Sequence, residues 1–430
     1  MTFRRECVVL PVLLAASFFA SAKSHETKNS PPVIHGPVLN GIDVLESEHF
    51  STFKDLAQHR GGHLRVALMT NHSGLDANGR RTIDVLAEDA TKEVNGFKLV
   101  NLFSPEHGIN GVLDQSNIGN DVDPKTGLQV VSLFGKTLEE RHPKPEQFKD
   151  LDAVIIDLQD AGARFYTYET VVGFFLETAA KAKTEVIILD RPNPINGIAV
   201  QGPMSTPGRE NYINYMSEPI RQGLTMGELG TLFNAENHLN ASLTVVRMKG
   251  WRRSDWFSDT GLMWTNPSPN LRSLTQAILY PGVGLLERTN LNVGRGTDTP
   301  FQWIGAPWIE GVKLAAYLNA RNIPGVRFIP VHFKPGGKYP FHEQECQGVE
   351  MILTNPSALD SPELGLELAS ALYKLYPSVY EIDKVDALLL QQDVLGLIKA
   401  GTDPREVAKK WESNPALGKY RSLRTKYLLY

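Results

Sequence analysis

A glutamate and a histidine follow one of the apolar runs in this sequence. Residues 99–112 read LVNLFSPEHGINGV, so Glu106 and His107 come where a buried strand would end. Pro105 restricts the chain before them, and Gly108 permits a tight turn after them. A carboxyl group at the end of an apolar strand is partly desolvated, which favours its protonated form. Glu106 is therefore a candidate general acid, and His107 could orient it, contact a substrate or serve the local structure.

Polar side chains also follow three further apolar runs. Because ligands bind beyond the carboxyl ends of parallel strands, we expect these side chains and Glu106 to share one rim. Two alternatives stay open: Asp157 could cap a backbone group or pair with Arg164, and Asp190 could form a local ion pair with Arg191. The candidate binding residues on this rim are Asn71, His107, Asp157, Gln159, Arg164, Asp190, Arg191 and Asn193.

The elements that would position these residues alternate between strands and helices. Helix-period stretches at 82–94 and 171–183 lie between apolar runs that have the length of buried strands. Strands that are apolar throughout indicate a parallel sheet covered on both faces. Residues 39–262 are therefore predicted to form a Rossmann-like α/β domain. The predicted strands occupy residues 64–70, 98–103, 152–158, 185–190 and 243–248.

The composition changes after residue 262 to loops rich in Pro, Gly and Asn. Strands are predicted at 326–333 and 347–354, and helical spacing recurs at 362–376 and 386–401. We expect a smaller mixed α+β domain at 263–430 that closes over the first and contributes to the cleft.

The N-terminus has the order of a secretory signal peptide. Arg4 and Arg5 precede a short apolar run, and small residues follow it up to Ala22. Residues 1–22 are predicted to be a cleaved signal, with an uncleaved anchor as the alternative. The polar, Pro-rich residues 23–38 would be a linker. We therefore expect a periplasmic or secreted protein without stable membrane insertion after cleavage.

Charge and motif content exclude several partners. The net charge of −4 and a pI near 6.3 do not indicate the basic surface that nucleic acid binding requires. Residues 71–79, which follow the first strand, have neither the G-x-G-x-x-G spacing nor a Walker A lysine, so no nucleotide cofactor is expected. No Cys/His spacing indicates a zinc site. An amide-rich, acidic and aromatic rim suits a neutral or anionic polyhydroxylated ligand instead.

Long motifs in a fixed order carry a family resemblance. The chain resembles the NamZ-type exo-β-N-acetylmuramidases, glycoside hydrolase family 171, from about residue 41 to 430. The resemblance implies a Rossmann-like catalytic domain with a C-terminal auxiliary domain. It also implies release of N-acetylmuramic acid from the non-reducing ends of peptidoglycan fragments, with muramyl saccharides as substrates. The motifs are SPEHG (104–108), DPKTGL (123–128), DLQDAGARFYTY (157–168), DRPNPINGIAVQGP (190–203), PSPNL (267–271), YPGVGLLERTNLNVGRGTDTPF (280–301) and IGAPWI (304–309).

Glycoside hydrolysis normally requires two carboxyl groups, one acid and one base or nucleophile. Glu106 is the expected acid. Asp160 is the leading candidate for the second carboxylate, followed by Asp157 and Glu287, although Asp160 could instead orient the acetamido group of the substrate.

Muramic acid also carries a lactyl carboxylate, which an arginine fork can bind through two parallel hydrogen bonds. Arg164 and Arg295 are the candidates, and either could instead hold a carboxylate of the protein. Tyr166 and Tyr168 are expected to face the sugar while Phe165 faces the core. The amides expected to bind hydroxyl groups are those of Asn193, Asn270 and Asn290.

One segment departs from the family pattern. Asn120 stands where members usually carry an acid, with Asp114 and Asp121 as nearby replacements. This leaves open a catalytically impaired muropeptide-binding protein. A second alternative is a metal-assisted exported hydrolase that uses His72, His107 and the acidic strand ends.

Overall fold

The structure, a computed structural model, describes Thr2 and residues 37–90, 96–115 and 117–430. The predicted signal peptide, apart from Thr2, and residues 23–36 of the predicted linker lie outside the described residues. The domain boundary expected after residue 262 stays a prediction.

A seven-stranded sheet forms the N-terminal part of the fold. Its order is β3-β4-β2-β1-β5-β6-β9, and only the β3–β4 pair is antiparallel. The chain runs outward from β1 to β2 in one direction and from β5 to β6 and β9 in the other, which leaves a crevice at the carboxyl ends of β1 and β5. Its strands are β1 (Leu64–Thr70), β2 (Phe97–Ser104), β3 (Asp121–Val122), β4 (Gln129–Ser132), β5 (Ala153–Asp157), β6 (Glu185–Leu189) and β9 (Leu243–Val246).

Helices cover both faces of this sheet, as the apolar strands predicted. Along β5, Val154 and Ile156 pack into one core while Ala153 and Ile155 pack into the other, because successive side chains point to opposite faces. The helices on the two faces are α1 (Gly41–Ser47), α2 (Ser51–Arg60) and α3 (Thr82–Asp89) on one, and α5 (Tyr168–Ala182) and α6 (Met226–Glu236) on the other. The α/β fold is confirmed.

The C-terminal part is a smaller mixed domain. Its antiparallel sheet has the order β10-β12-β11, and it shares the larger of the two cores with the parallel sheet. Its elements are β10 (Trp303–Ala306), β11 (Val326–Phe333), β12 (Cys346–Leu353), α7 (Leu274–Val283), α8 (Gly311–Ala320), α9 (Ser361–Leu375), α10 (Asp386–Leu389), α11 (Gln392–Lys399), α12 (Pro404–Glu412) and α13 (Pro415–Arg424). The other strands and the other α-helix, which precede this domain, are the hairpin strands β7 (Gln201–Met204) and β8 (Pro219–Arg221) and the short helix α4 (Leu138–Arg141).

The helical run predicted at 386–401 is divided. Leu390 takes the left-handed conformation, with φ +56°, between α10 and α11. Its carbonyl accepts hydrogen bonds from the backbone and the hydroxyl of Thr206, so a tertiary contact overrides the local helical preference. Among the described residues, no helix combines the length and apolar character needed to cross a membrane.

Candidate active site

A cavity of about 340 Å³ opens beyond the carboxyl ends of β2 and β5. Its walls come from the turn after β2, the loop that leads into α5 and the aromatic segments around Phe134 and Tyr212. Residues of the C-terminal domain close the other side. Both parts of the chain thus contribute residues to the lining of one cavity.

Glu106 lines this cavity and is half-buried. The hydroxyl of Thr167 donates a hydrogen bond to Oε2 of Glu106 at 2.9 Å. A carboxyl group that is held through one oxygen can present the other to a substrate. The position predicted for the general acid therefore faces the cavity.

The turn that presents Glu106 needs two consecutive left-handed residues. His107 and Gly108 have φ values of +73° and +72°, and the amide of Gly108 donates to the carbonyl of Pro105 at 3.0 Å. His107 Nδ1 donates to the carbonyl of Leu113 at 2.8 Å, which closes the loop. His107 also lines the cavity, so it both stabilises the turn and is available to a ligand.

His72 packs beneath the same loop. A Cβ atom at Gly111 would lie 1.7 Å from Nδ1 of His72, and Gly111 itself has φ +62°. Burial lowers the pKa of His72, which keeps the ring neutral. The neutral ring of His72 thus packs closely against Gly111 and stabilises the turn that carries Glu106.

We predict that Gly111→Ala lowers the free energy of unfolding by about 1–3 kcal/mol, because the added methyl group overlaps the His72 ring and the backbone is left-handed. Urea denaturation measures the change. Gly119→Ala is the matched control, since a Cβ atom there has no neighbour within 4 Å. Equal stability of the two variants would contradict the role given to Gly111.

Tyr166 and Tyr168 line the cavity, as predicted, but Phe165 lines it too. Phe165 is at the same time a buried core residue whose ring packs against Tyr280, because the segment is a turn that runs into α5, with the amide of Tyr166 bonded to the carbonyl of Ala163 at 2.7 Å. Burial raises the pKa of both tyrosines, Tyr168 also through the charge of Glu106, so their hydroxyl groups stay neutral donors.

Asn71 lies behind Tyr168. Its side-chain amide donates to the hydroxyl of Tyr168 at 2.7 Å, and its carbonyl oxygen accepts from the amide and the hydroxyl of Ser73. The Tyr168 hydroxyl in turn donates to the backbone carbonyls of Glu106 and Pro267. Asn71 therefore orients a cavity residue and is not itself part of the lining.

A second carboxylate in the cavity is Asp114. Its Oδ2 accepts hydrogen bonds from the hydroxyl of Tyr339 and from the amide of Asn270, the latter at 3.1 Å. Burial on its own would raise the pKa of Asp114, but the Tyr339 bond and the charge of Arg295 lower it below the ordinary value. Asp114 is therefore held ionised, and the predicted Asn270 acts as its hydrogen-bond partner.

Glu287 is a third cavity carboxylate. Its Oε1 lies 2.9 Å from a terminal nitrogen of Arg295, whose guanidinium also lies over the ring of Phe301. The charges of Glu287 and Asp114 raise the pKa of Arg295 against the effect of burial. Arg295 thus lines the cavity as predicted, with its charge shared between two carboxylates of the protein.

Arg164 lies outside the cavity lining. It is fully buried, and its terminal nitrogens donate to backbone carbonyls, among them Glu218 at 2.9 Å, Leu388 at 2.8 Å and Leu389 at 2.9 Å. These bonds connect the loop after β5 to α10. Backbone carbonyls occupy the terminal nitrogens of the Arg164 guanidinium. Arg164 therefore links the loop after β5 to the C-terminal domain and does not contact a ligand in this cavity.

Asp157 pairs with Arg191, not with Arg164. Arg191 Nε and Nη2 contact the two carboxylate oxygens of Asp157 at 2.5 and 2.9 Å, and the hydroxyl of Thr82 donates to the same carboxylate. Both members of this pair are buried. The pair joins the ends of β5 and β6 to the start of α3.

Asp160, the sequence prediction for the second catalytic carboxylate, is buried and is not among the residues that line the cavity. Its Oδ2 accepts from the amide of Gly162 at 2.8 Å, and burial raises its pKa to about 6. Gln159 binds the carbonyls of Asp160 and Pro192. The short loop after β5 turns both side chains inward, so the cavity carboxylates come from other segments.

The remaining predicted residues also bind the protein itself. Asp190 accepts from the amide of Gly227 near the start of α6 and from the hydroxyls of Thr225 and Tyr430. Asn193 binds the carbonyl of Leu224, and Asn290 connects to the loop at Val379 and Glu381. A role of these side chains in ligand binding stays a prediction.

Several residues that line the cavity were not predicted from the sequence. Tyr280 begins the motif at 280–301 and lies in α7 beside Pro281, so membership of that motif is the one signal that could have indicated it. Arg141, Phe134 and Tyr212 come from two separate segments with no motif, and nothing local indicates that they meet. Only the tertiary structure brings them to the wall beside Glu106.

The fold and the cavity define the class of the protein. A doubly wound parallel sheet, with carboxylates, tyrosines and arginines gathered in one cavity beyond its carboxyl ends, is the arrangement of an α/β enzyme with a polar small-molecule site. Among the described residues, no group of three or more His, Cys, Asp or Glu side chains is arranged to hold a metal ion.

Comparisons with known proteins give the family. The model for the N-terminal part of the exo-β-N-acetylmuramidase NamZ matches residues 66–275, and the model for its C-terminal part matches residues 278–430. The chain belongs to the NamZ family. The peptidoglycan β-N-acetylmuramidase NamZ of Bacillus subtilis (strain 168) is 33% identical over 424 residues, which are 97% of each chain.

Two solved structures share the fold. Both are DUF1343 family proteins from Bacteroides fragilis NCTC 9343. One is 33% identical with a TM-score of 0.80, and the other is 26% identical with a TM-score of 0.70. Each match covers 92% of this chain and 99% of the solved chain.

Proposed function

We propose that this protein is an exo-acting β-N-acetylmuramidase, a glycoside hydrolase that releases N-acetylmuramic acid from the non-reducing ends of peptidoglycan fragments. The observation that carries the proposal is the presence of Glu106 and Asp114 in one cavity of a chain that belongs to the NamZ family. Nothing in the structure favours a binding protein without activity or a metal-assisted hydrolase.

The size of the cavity supports exo-action. Small-ligand sites span about 300–1,000 Å³, and a volume of about 340 Å³ lies at the lower end of that range. A cavity this small suits one terminal sugar better than an extended glycan. The aromatic side chains of Phe165, Tyr166 and Tyr168 in the lining provide contacts for the apolar face of a sugar ring.

Two carboxyl groups can divide the chemistry. Glu106, at the half-buried end of β2, donates the proton to the leaving oxygen. Asp114, which Tyr339 and Arg295 hold ionised, supplies the negative charge that a base or nucleophile requires. This assignment moves the second carboxylate from Asp160, as the sequence suggested, to Asp114, and it is supported by the position of Asp114 in the cavity lining, to which Asp160 does not belong.

Export completes the proposal. The basic, apolar and small-residue order of residues 1–22 favours a cleaved signal peptide and a location in the periplasm or outside the cell, where peptidoglycan fragments arise. Expression of the full chain followed by N-terminal sequencing of the exported product tests it, with cleavage after Ala22 as the expected result.

The activity is tested with two chromogenic sugars. We predict that the protein hydrolyses the nitrophenyl β-glycoside of N-acetylmuramic acid about 10- to 100-fold better in kcat/KM than that of N-acetylglucosamine, because the lactyl carboxylate allows a charge-assisted bond. On a glycan fragment with a muramic acid terminus, chromatography should show N-acetylmuramic acid as the first product. Disaccharide products, or equal hydrolysis of both glycosides, would contradict the proposal.

A further inference from the structure

Arg141 lines the same cavity as Glu106. The Arg141 guanidinium carbon is 4.3 Å from the ring centre of Phe134 and 4.4 Å from that of Tyr212, and both rings are buried. The Nε of Arg141 donates to the carbonyl of Gly135 at 2.8 Å. The stacked rings and this bond fix the plane of the fork before any ligand arrives.

No carboxylate of the described residues forms an ion pair with Arg141. The nearest acid along the chain, Glu140, accepts instead from the backbone amides of Lys136 and Thr137. In the part of the chain that the structure describes, the hydrogen bond to Gly135 comes from Nε, so the two terminal nitrogens remain for an anion. A fixed guanidinium with two free terminal nitrogens matches the geometry of a carboxylate.

The other arginines considered for this role are less suited to it. Arg164 is buried on backbone carbonyls, and Arg295 is paired with Glu287 at 2.9 Å. Arg288 is exposed on the rim. Among the arginines that line the cavity in the described residues, only Arg141 is both stacked between aromatic rings and without a carboxylate partner.

Arg141 also lies in the half of the cavity that holds the acid. The Arg141 guanidinium lies 4.4 Å from the ring centre of Tyr212, and Tyr212 lines the same cavity as Thr167, whose hydroxyl donates to Glu106 at 2.9 Å. A sugar whose glycosidic oxygen meets Glu106 therefore has its ring substituents within reach of this wall.

From this geometry we propose that Arg141 is the specificity residue that binds the lactyl carboxylate of the terminal muramic acid. The inference rests on the proposed function, since the lactyl group is the only charge that distinguishes this sugar from N-acetylglucosamine. It replaces Arg164 and Arg295, the candidates from the sequence, as the main anion contact.

The test compares two sugars in Arg141→Met and in wild type. We expect kcat/KM for the nitrophenyl muramide to fall about 10- to 100-fold and that for the glucosaminide to change less than about threefold. The dissociation constant of N-acetylmuramic acid, measured by calorimetry, should rise by the same factor as kcat/KM falls, while that of N-acetylglucosamine stays constant. Arg141→Lys keeps the charge without the planar fork and should recover only part of the loss.

Three further variants make the result decisive. Arg60→Met makes the same substitution in α2, away from the cavity, and should leave kcat/KM for both sugars unchanged. Arg295→Met and Arg288→Met test the competing arginines of the cavity lining. An equal loss for both sugars in Arg141→Met, or a selective loss in Arg295→Met or Arg288→Met alone, would overturn the inference.

Failure of the proposed function gives a different result. A wild type that binds N-acetylmuramic acid but hydrolyses neither glycoside refutes the activity, and the binding comparison still decides the role of Arg141. A wild type that does not bind N-acetylmuramic acid overturns both.

Discussion

Replacement of Glu106 with glutamine should lower kcat about a hundred- to ten-thousandfold, the range for loss of general acid catalysis. Glutamine keeps the shape of the side chain and can still accept the hydrogen bond from Thr167, but it has no proton to give to the leaving oxygen. Steady-state kinetics on a glycan fragment with a muramic acid terminus measures the effect, because a sugar leaving group depends on protonation more than nitrophenol does. Binding of N-acetylmuramic acid should change little, because the loss is confined to the transition state.

Two comparisons isolate the chemical role of Glu106. Glu345→Gln is the matched control, since it makes the same substitution at an exposed residue next to β12. A substrate with a better leaving group than nitrophenol needs less protonation, so it should recover much of the rate in Glu106→Gln. A folded Glu106→Gln protein with nearly normal kcat would end the assignment.

The strands of the parallel sheet could be predicted closely because their signal is local. The run at 64–70 matches β1 without a shift, and the run at 152–158 contains β5. Apart from Arg65 and Thr70 in β1 and Asp157 in β5, each strand is apolar on both faces, which indicates that both faces are covered. Polar residues directly after each strand then indicated the edge where the cavity lies.

The C-terminal domain was predicted less well, for physical reasons that are visible in α7. The helix continues through Pro281 and Gly282, residues that indicate a loop in an isolated sequence. A Cβ atom at Gly282 would lie 1.9 Å from the carbonyl oxygen of Ser361, so this glycine allows α7 to contact α9. Close packing of two helices that are distant in the chain leaves no local pattern.

The difference between local signals and tertiary contacts also explains which residues of the candidate site could be predicted from the sequence. Glu106 was identified because strand end, turn and carboxyl group are adjacent in the chain. Asp160, the leading sequence candidate for the second carboxylate, also follows a strand, but polarity at a strand end does not reveal whether a side chain faces outward. The buried Asp157–Arg191 pair shows that such positions equally serve to join loops.

Replacement of Asp114 with asparagine is expected to lower kcat/KM by at least about a hundredfold, while Asp160→Asn should change it less than about threefold. Asparagine can still accept a hydrogen bond from Tyr339, but it carries no negative charge toward the cavity. The neighbouring Arg295 keeps Glu287 as a partner, so Asp114→Asn should fold normally. Thermal unfolding of both variants provides that control.

The pH dependence of the wild type distinguishes the two carboxylates independently of any mutation. An essential base acts only when ionised, so kcat/KM falls as the pH drops through the pKa of that base in the free enzyme. The Tyr339 bond and Arg295 lower the pKa of Asp114 despite its burial, whereas burial raises the pKa of Asp160 to about 6. With Asp114 as the base, the acid limb should lie below the ordinary range of aspartate. An acid limb near pH 6 in the wild type would instead return the role to Asp160, and would require the loop after β5 to open before the reaction.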